Sequence, residues 1–367
     1  MKKEDRFVII MAGGSGERFW PVSRRRKPKQ LIKILGKKSF LQETVARCRG
    51  VCPSENIFII TNSVQAPEVR KQLPKLPRAN VVAEPCGRDT CAAVALGAAL
   101  VSARSEKAVM AVLPADHVVA EPDKFKQILL DCFEVAKRES SMVTIGIAPT
   151  EPATGYGYIH AGAERKGLGL ESRFYKAKRF VEKPQLAKAQ MYLKSGQYRW
   201  NAGMFVWSVS TIMDGLKAHV PALARSAARW RKASVDKKLT PVLERDYPKL
   251  TKISVDFALM EKATNVVVAD GAFAWDDLGA WTALERHLPQ DENGNCLVGR
   301  CLSIDSERNI IFDGRQKNKT PIGLVGVKDS IVVLTDDSVL FSAKSDAQGI
   351  KKLVSLLAEE KGLRKLL

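Results

Sequence analysis

The segment RFVIIMAGGSGER, from Arg6 to Arg18, carries the clearest indication of the fold class. Its first half is an unbroken run of large apolar residues, which is typical of a β-strand buried on both faces. A glycine-rich loop follows at once. In open α/β sheets ligands bind outside the carboxyl ends of the strands, so this loop marks a candidate ligand-binding edge.

Outward from this stretch, short β-branched runs alternate with helical stretches. Three features mark helix starts: the capping-box spacing of Ser39 and Gln42, a capping position for Thr90, and a proline at position 122. The predicted strands are 57–60, 81–83, 109–113 and 143–147, and the predicted helices are 39–48, one led by residue 63, 90–104 and 122–138. Such βαβ units with right-handed crossovers predict a doubly wound α/β fold with a mostly parallel sheet.

The pattern is less regular after residue 156 and changes character after Pro289. The elements predicted in the middle are strands at 174–181, 204–207 and 266–268 and helices at 212–217, 222–231 and 280–287. Beyond Pro289, short strands recur with Gly, Asp and Asn between them, and a final helix is predicted after residue 345. We therefore predict two domains, a large one at 1–289 and a small β-rich module with a terminal helix at 290–367.

Composition limits the class of protein. The 367 residues are 45% hydrophobic and 27% charged, an ordinary globular mixture. No uncharged stretch is longer than 90–103, which is too short to span a membrane, and no membrane partner is expected. The seven cysteines include no Cys-x-x-Cys pair and the four histidines are scattered, so we expect free thiols in a reducing cytoplasm.

The formal net charge of +19 admits three interpretations: a surface for nucleic acid, a surface for an anionic membrane, or a preference for anionic small substrates. Many of the basic residues are scattered, which is typical of a solvated face. No helix-turn-helix, RRM or zinc-finger pattern accompanies them. Nucleic acid is therefore disfavoured as a partner.

The glycine-rich loop is the first candidate site. Gly13, Gly14 and Gly16 allow backbone N–H groups to approach an anion, and Arg18 adds a cation with forked donors. The loop lacks the Gly-Lys-Ser/Thr ending of a P-loop. Phe19 stands where a dinucleotide fingerprint has its third glycine, which argues against an NAD-dependent dehydrogenase.

Two further strings suit a nucleotide. Lys29 lies in a basic run and follows Pro28, which restricts the backbone and favours a role in clamping a polyphosphate. Glu84 comes at the end of a predicted strand, where its carboxylate can accept hydrogen bonds from the N–H groups of guanine. Arg88 follows just before a predicted helix start, a position that favours anions.

The remaining candidates are acidic and polar residues at strand ends. Asp116 and one acidic residue of the later string WDDLG (275–279), Asp276 or Asp277, are candidates to converge on Mg²⁺, which binds a few carboxylates together with phosphate oxygens. Glu182 and Asn201 suit sugar hydroxyls, and Lys183 suits a phosphate. Each string has a plainer interpretation as a turn, a helix cap or a solvated loop, and none decides the function by itself.

Taken in order, the strings resemble the mannose-1-phosphate guanylyltransferase family, also called GDP-mannose pyrophosphorylases. The resemblance covers nearly the whole chain. It is carried by MAGGSGERFWPVSRRRKPKQ (11–30), EPCGRDT (84–90), PADH (114–117), TGYGYI (154–159), FVEKP (180–184), WNAGMF (200–205), SVDFALMEK (254–262) and WDDLG (275–279). It implies a Rossmann-like nucleotidyltransferase domain followed by a small C-terminal β-helix-like module and a terminal helix.

The resemblance also implies a reaction and a role for each matched residue. The reaction is Mg²⁺-assisted direct displacement, in which GTP and mannose 1-phosphate give GDP-mannose and pyrophosphate, and the enzyme is implied to be a homodimer. The residues implied to bind the nucleotide are Ala12, Gly13, Gly14, Gly16, Glu84, Arg88 and Asp116. Those implied to bind mannose are Gly157, Glu182 and Asn201, those implied to act on phosphates in catalysis are Arg18, Lys29 and Lys183, and those implied to hold Mg²⁺ are Asp116 and Asp277.

Three segments depart from the family's pattern. Asp89 stands where the family commonly has Asn, Cys91-Ala92 where it has Ala-Pro, and Ala202 where it has Ser. They leave open a nucleotidyltransferase for another hexose 1-phosphate or nucleotide. A non-catalytic regulator that binds sugar nucleotides is the alternative from a different class. Many long members carry a second, isomerase domain; because the sequence stops at Leu367, we expect the short, single-function form.

Overall fold

A computed structural model describes residues 1–317 and 320–367. The strands are β1 (Arg6–Met11), β2 (Ile57–Asn62), β3 (Val81–Glu84), β4 (Val109–Pro114), β5 (Val118–Val119), β6 (Met142–Ile147), β7 (Tyr158–Glu164), β8 (Phe174–Val181), β9 (Tyr198–Ser208), β10 (Val266–Asp270), β11 (Trp275–Asp276), β12 (Cys296–Val298), β13 (Cys301–Ile304), β14 (Ile310–Asp313), β15 (Ile322–Val325), β16 (Ser330–Leu334) and β17 (Val339–Ala343). The α-helices are α1 (Phe40–Arg47), α2 (Ala66–Gln72), α3 (Asp89–Arg104), α4 (Pro122–Arg138), α5 (Leu186–Ser195), α6 (Val209–His219), α7 (Pro221–Val235), α8 (Leu239–Asp246) and α9 (Ile350–Glu359).

The chain forms two compact units. The first consists of Met1–Gly13 and Thr44–Asp276, and the second of Gly14–Glu43 and Asp277–Leu367. This grouping differs from the predicted division after residue 289, because part of the glycine-rich loop and the segment after it belong with the C-terminal residues.

The first unit is built on one large sheet with strand order β3-β2-β1-β4-β9-β6-β10-β8-β7. The first four strands of this order are parallel, as the βαβ pattern predicts. The rest of the sheet is mixed: β9 lies between β4 and β6 and runs antiparallel to both, whereas β10 pairs with β6 in parallel and with β8 in antiparallel fashion. An antiparallel strand needs no helical crossover, so the alternating pattern of the first 147 residues gives no sign of it.

Helix α3 packs closely on the sheet. Most of its alanine-rich sequence is buried. A Cβ added at Gly97 would lie 3.0 Å from a side-chain carbon of Ile9 on β1, so the missing side chain permits this approach. A larger residue there would force a shift of the kind that typically costs about 1–3 kcal/mol in a packed core.

Several predicted boundaries in the first unit hold and others do not. Helix α4 and strand β8 have the predicted limits, whereas β9 is longer than the predicted 204–207. Helices α5 and α8 and strand β7 were not predicted. A π-helical turn at Asp256–Met260 was not predicted either.

The second unit contains the β-helix-like module. Strands β12, β14 and β16 stack in parallel, β13 and β15 form a second parallel pair, and β17 closes β16 in antiparallel fashion. Stacking of every second strand gives the coil that the resemblance implies. The helix predicted from residue 345 begins as a 3-10 helix at Lys344–Gly349 and continues as α9. The helix predicted at 280–287 is present as a 3-10 helix at Trp281–Arg286.

Aromatic side chains tie the early part of the second unit to its late part. The ring of Phe19 lies 5.2 Å from Trp281, which lies 5.3 Å from Phe312. The indole N–H of Trp281 donates to the carbonyl of Trp20 at 3.1 Å. These contacts join the segment after the glycine-rich loop to residues more than 260 positions later.

The composition-based expectation about thiols holds. Every cysteine is a free thiol, and five of the seven are buried. Across residues 1–317 and 320–367, no helix combines the length and hydropathy that crossing a membrane requires.

Candidate active site

The ends of β1 and β3 meet at one edge of the first unit. The N–H of Ala12 donates to the carbonyl of Ile60 at 2.7 Å, and the hydroxyl of Thr61 donates to the carbonyl of Ala12 at 3.0 Å. Glu84 ends β3, and a Cβ added at Gly13 would lie 3.2 Å from its Oε2. The missing side chain at Gly13 therefore leaves room for a carboxylate beside the start of the loop.

Glu84 is a buried carboxyl group with a defined hydrogen-bond donor. It is 7% exposed, and the hydroxyl of Tyr247 donates to its Oε1 at 3.0 Å. Burial raises the pKa of Glu84 to about 7, and the hydrogen bond from Tyr247 opposes that rise. Near neutral pH, Glu84 is therefore present both as a carboxylate, which only accepts hydrogen bonds, and as a carboxylic acid, which also donates one.

The guanidinium of Arg88 is bonded to backbone carbonyls. Its Nε donates to the carbonyl of Tyr247 at 3.1 Å, and its Nη2 donates to the carbonyl of Pro248. Arg88 was predicted at the nucleotide. These bonds show that it fixes the segment that supplies the hydroxyl donor to Glu84.

The start of α3 differs from the predicted cap. The helix begins at Asp89, which has φ +64° and whose Oδ1 accepts from the N–H of Thr90 at 2.7 Å. The prediction that Thr90 caps the helix is wrong, because its hydroxyl accepts from the N–H of Val255 at 2.9 Å. The N–H of Cys91 donates to the carbonyl of Ile253 at 3.2 Å, so two bonds tie this turn to the segment before the π-helical turn.

The four residues predicted for the sugar and its phosphate lie together. The N–H of Asn201 donates to the carbonyl of Gly157 at 2.8 Å. A Cβ added at Gly157 would lie closer than 3.0 Å to Oε2 of Glu182 and 3.4 Å from Cβ of Asn201. The ammonium of Lys183, an exposed residue, donates to Oε1 of Glu182 at 2.7 Å. Glu182 and Asn201 therefore lie beside a glycine with no side chain, and the ammonium of Lys183 is bonded to the carboxylate of Glu182.

Asp256 joins this cluster, although it received no role in the sequence analysis. The amide nitrogen of Asn201 donates to its Oδ1 at 2.7 Å, and the amide oxygen of Asn201 accepts from the N–H of Gly203 at 3.1 Å. Burial raises the pKa of Asp256 to about 6; the bond from Asn201 and the charge of Lys183 oppose this, and the charge of Glu182 adds to it. Asp256 begins the π-helical turn, a rare geometry that is frequent at functional sites.

Asp116 lies in the loop between β4 and β5. The N–H of Ala115 donates to the carbonyl of Met11 at 3.1 Å, which anchors the loop to the end of β1. On the other side, Val118 pairs with Asp276 in a short antiparallel ladder. The backbone on both sides of Asp116 is therefore held in place.

In the second unit, the glycine-rich loop packs on the segment of Lys29. Gly16 has φ +61°, and a Cβ there would lie 2.5 Å from the backbone N of Lys29. The ammonium of Lys29 is buried and donates to the carbonyl of Asp277, and Arg18 donates to the carbonyl of Gly279 at 3.0 Å. The two predicted cations thus both hold the backbone of the WDDLG segment.

The metal assignment can be compared with the chemistry of the available donors. Within the described part of the chain, no three or more His, Cys, Asp or Glu side chains are grouped so as to hold a metal ion. Mg²⁺ commonly takes one or two carboxylates and completes its coordination with water and substrate phosphates. Asp116 and Asp277 were predicted to hold this ion, and each has a carboxylate, the type of ligand that Mg²⁺ takes.

Two family models match the sequence. Residues 7–294 match the family described as Nucleotidyl transferase. Residues 299–357 match the domain described as MannoseP isomerase/GMP-like beta-helix domain.

Known proteins resemble the chain over almost all of its length. It is 35% identical over 354 residues to the Xanthan biosynthesis protein XanB of Xanthomonas campestris pv. campestris (strain B100), covering 96% of this chain and 73% of that protein. It is 34% identical over 365 residues to a mannose-1-phosphate guanylyltransferase of Escherichia coli (strain K12), covering 96% and 74%. A crystal structure described as mannose-1-phosphate geranyltransferase from Thermus thermophilus aligns with a TM-score of 0.83 at 33% identity, covering 96% and 99%.

Proposed function

The chain belongs to the mannose-1-phosphate guanylyltransferase family, and we propose that it transfers GMP from GTP to mannose 1-phosphate, giving GDP-mannose and pyrophosphate. The observation that carries this assignment is the cluster around Gly157. Its side chains offer hydrogen-bond donors and acceptors for hydroxyl groups next to a cation for a phosphate.

At the sugar side, we propose that Glu182 and Asn201 bind mannose hydroxyls and that Gly157 leaves the space for the ring. The contact between Gly157 and Glu182 supports this, because any side chain at 157 would displace the carboxylate. Lys183 is exposed and adjacent, which suits a role on the sugar phosphate. Asp256 orients the amide of Asn201.

At the nucleotide side, we propose that the loop from Ala12 to Gly16 binds the triphosphate together with Arg18 and Lys29. Glu84 accepts the N1–H and the exocyclic amine of guanine, and Arg88 supports that contact through the backbone it holds. The room that Gly13 leaves beside Glu84 supports this arrangement.

The proposed reaction is a direct displacement. A phosphate oxygen of mannose 1-phosphate attacks the α-phosphorus of GTP; the new P–O bond forms as the bond to the β-phosphate bridging oxygen breaks, and pyrophosphate leaves. The nucleophile is already anionic, so no general base is required. Positioning and charge neutralisation by Arg18, Lys29 and Lys183 therefore supply catalysis.

Enzymes of this family generally use a divalent metal ion. We propose that this ion is Mg²⁺ and that Asp116 and Asp277 hold it, with Asp116 also near the nucleotide. When bound, Mg²⁺ neutralises phosphate charge. Carboxylates suit an ion that shares its coordination with substrate phosphates.

Three further assignments are proposals from the sequence and the resemblance. Residues 1–289 carry catalysis and 290–367 form an accessory module, the protein works as a homodimer, and it is cytoplasmic. Light scattering of the purified protein tests the dimer, and a mass of one chain would contradict it.

The decisive experiment measures pyrophosphate release with Mg²⁺, crossing GTP, ATP, UTP and dTTP with mannose 1-phosphate and glucose 1-phosphate. We expect the fastest release with GTP plus mannose 1-phosphate and none without the sugar. Release only with another pair would keep the enzyme class and change the substrates. No release with any pair, despite binding of GDP-mannose, would favour the non-catalytic alternative.

A further inference from the structure

Tyr247 is hydrogen-bonded to Glu84, the carboxyl group to which the proposed function gives the contact with the base. It is fully buried, and its hydroxyl donates to Oε1 of Glu84, while Oε2 lies beside Gly13. Because a carboxylate oxygen accepts more than one hydrogen bond, this contact leaves both oxygens able to accept from a ligand.

The position of Tyr247 is fixed from two directions. Its ring stacks on the buried indole of Trp230, with centroids 5.3 Å apart and ring planes at 22°. Its own carbonyl and that of Pro248 accept from the guanidinium of Arg88. The hydroxyl donor is therefore pre-positioned, so that little entropy is lost in holding Glu84 in one orientation.

The two forms of a carboxyl group match different purines. Guanine presents two donors, N1–H and the exocyclic amine, which match an ionised carboxylate. Adenine presents an acceptor at N1 beside a donor at N6, which match a protonated carboxyl group that donates from one oxygen and accepts at the other. Guanine therefore pairs fully with the ionised form of Glu84 and adenine with the protonated form, and the mismatched purine leaves a buried polar group unpaired.

We propose that Tyr247 is a positioning residue for purine selection: its hydroxyl holds Glu84 as an oriented carboxylate and thereby favours GTP over ATP. The inference rests on the proposed function, in which Glu84 contacts the base.

Electrostatics around the pair support this role. Burial raises the pKa of Glu84 to about 7, and the hydroxyl of Tyr247 holds it lower than burial alone would. The other titratable groups that act on Tyr247 are Cys86 and Cys91, and Cys91 stays a thiol because burial raises its pKa to about 12. Arg88 directs its charge at carbonyls of the same segment.

Tyr247→Phe in the full chain tests the proposal, since it keeps the ring on Trp230 and removes only the hydroxyl. Pyrophosphate release is measured with GTP and with ATP at saturating mannose 1-phosphate from about pH 5.5 to 9. We expect the acid limb of kcat/KM for GTP to move up by about one pH unit and the GTP-to-ATP ratio at pH 7 to fall about tenfold, as the loss of one hydrogen bond to a charged group implies. Substrate ionisations are common to all variants and cancel in the comparison.

The matched control is Tyr158→Phe, because Tyr158 is also fully buried and its hydroxyl donates to an oxygen, the carbonyl of Ala153, at 2.9 Å. It should leave the acid limb and the nucleotide ratio where the wild type has them. Glu84→Gln provides a second test that does not depend on the stability of Tyr247→Phe: it should lose the acid limb and lower the GTP-to-ATP ratio.

Two outcomes would overturn the proposal while leaving the proposed function intact. In the first, the wild type prefers GTP, and Tyr247→Phe folds but has the same acid limb and the same GTP-to-ATP ratio as the wild type. The other is a Glu84→Gln that keeps the acid limb. If the wild type itself shows no preference for GTP, the proposed function fails first, and the two failures are thereby distinguished.

Discussion

Gly157→Ala is the sharpest test of the sugar site, because the structure specifies what the added methyl group would meet. The new Cβ would lie closer than 3.0 Å to Oε2 of Glu182, so the carboxylate must move aside. A hydrogen bond to a charged group is worth about 1.5–3 kcal/mol, which corresponds to roughly a 10- to 150-fold rise in KM for mannose 1-phosphate if that contact is lost.

The assay is steady-state pyrophosphate release, with KM measured separately for mannose 1-phosphate and for GTP. The matched control is Gly155→Ala in the same turn, where an added Cβ has no neighbour within 4 Å. We expect the KM for GTP to change little in either variant and Tm to stay close to the wild type in Gly155→Ala. A KM for mannose 1-phosphate in Gly157→Ala within about threefold of the Gly155→Ala value would refute the reasoning, since even a weak charged hydrogen bond is worth more.

Three further predictions concern the metal, the loop and the buried carboxyl group. Asp116→Ala or Asp277→Ala should lower kcat on the order of a hundredfold or more with an unchanged circular dichroism spectrum, and near-wild-type rates across Mg²⁺ concentrations would contradict the metal assignment. Gly16→Ala should lower Tm far more than Gly14→Ala. Alanine at the φ of +61° found at Gly16 costs about 1–2 kcal/mol before the overlap of its Cβ with a backbone nitrogen is counted, whereas the atom nearest to a Cβ at Gly14 is 3.9 Å away. Equal Tm values for the two variants would argue against this packing. The pKa of Asp256 is raised to about 6 from an ordinary 3.8, so its ionisation lowers the stability of the folded protein as the pH rises between these values. The Tm of Asp256→Asn relative to that of the wild type should therefore be higher at pH 8 than at pH 4. A difference in Tm that does not depend on pH would contradict the burial argument.

Local signals account for the parts of the fold that the sequence predicts well. The limits of α4 follow from a proline at its first position and an amphipathic pattern that continues to its end. The parallel start of the sheet follows from alternation of short apolar runs with helices. Strand β9 was shortened in the prediction because Asn201 and Gly203 interrupt its apolar run, and their role in the strand depends on distant partners.

The candidate site likewise contains some residues that local sequence signals identify and others that they do not. Residues in short distinctive strings, such as Gly157 and Glu182, were selected from the sequence, and the structure brings those two together. Tyr247 was missed because its functional neighbour, Glu84, lies 163 positions earlier and no local pattern marks a buried tyrosine as a hydrogen-bond donor. Asp256 lies in the string SVDFALMEK (254–262), but nothing in that string distinguishes it from its neighbours. Its hydrogen bond with Asn201 in the structure identifies it as part of the site.

The discontinuous second unit has a consequence for how the chain folds during synthesis. Lys29 and Arg18 leave the ribosome early, yet the carbonyls that they hold belong to Asp277 and Gly279. The strands β1, β2 and β4 find partners within residues 6–114, whereas the loop segment that follows β1 must wait until Asp277 and Gly279 have been translated. Until then a strongly basic, glycine-containing stretch lacks these carbonyl partners, which leaves it more open to proteases and to capture by anionic polymers than in the folded protein.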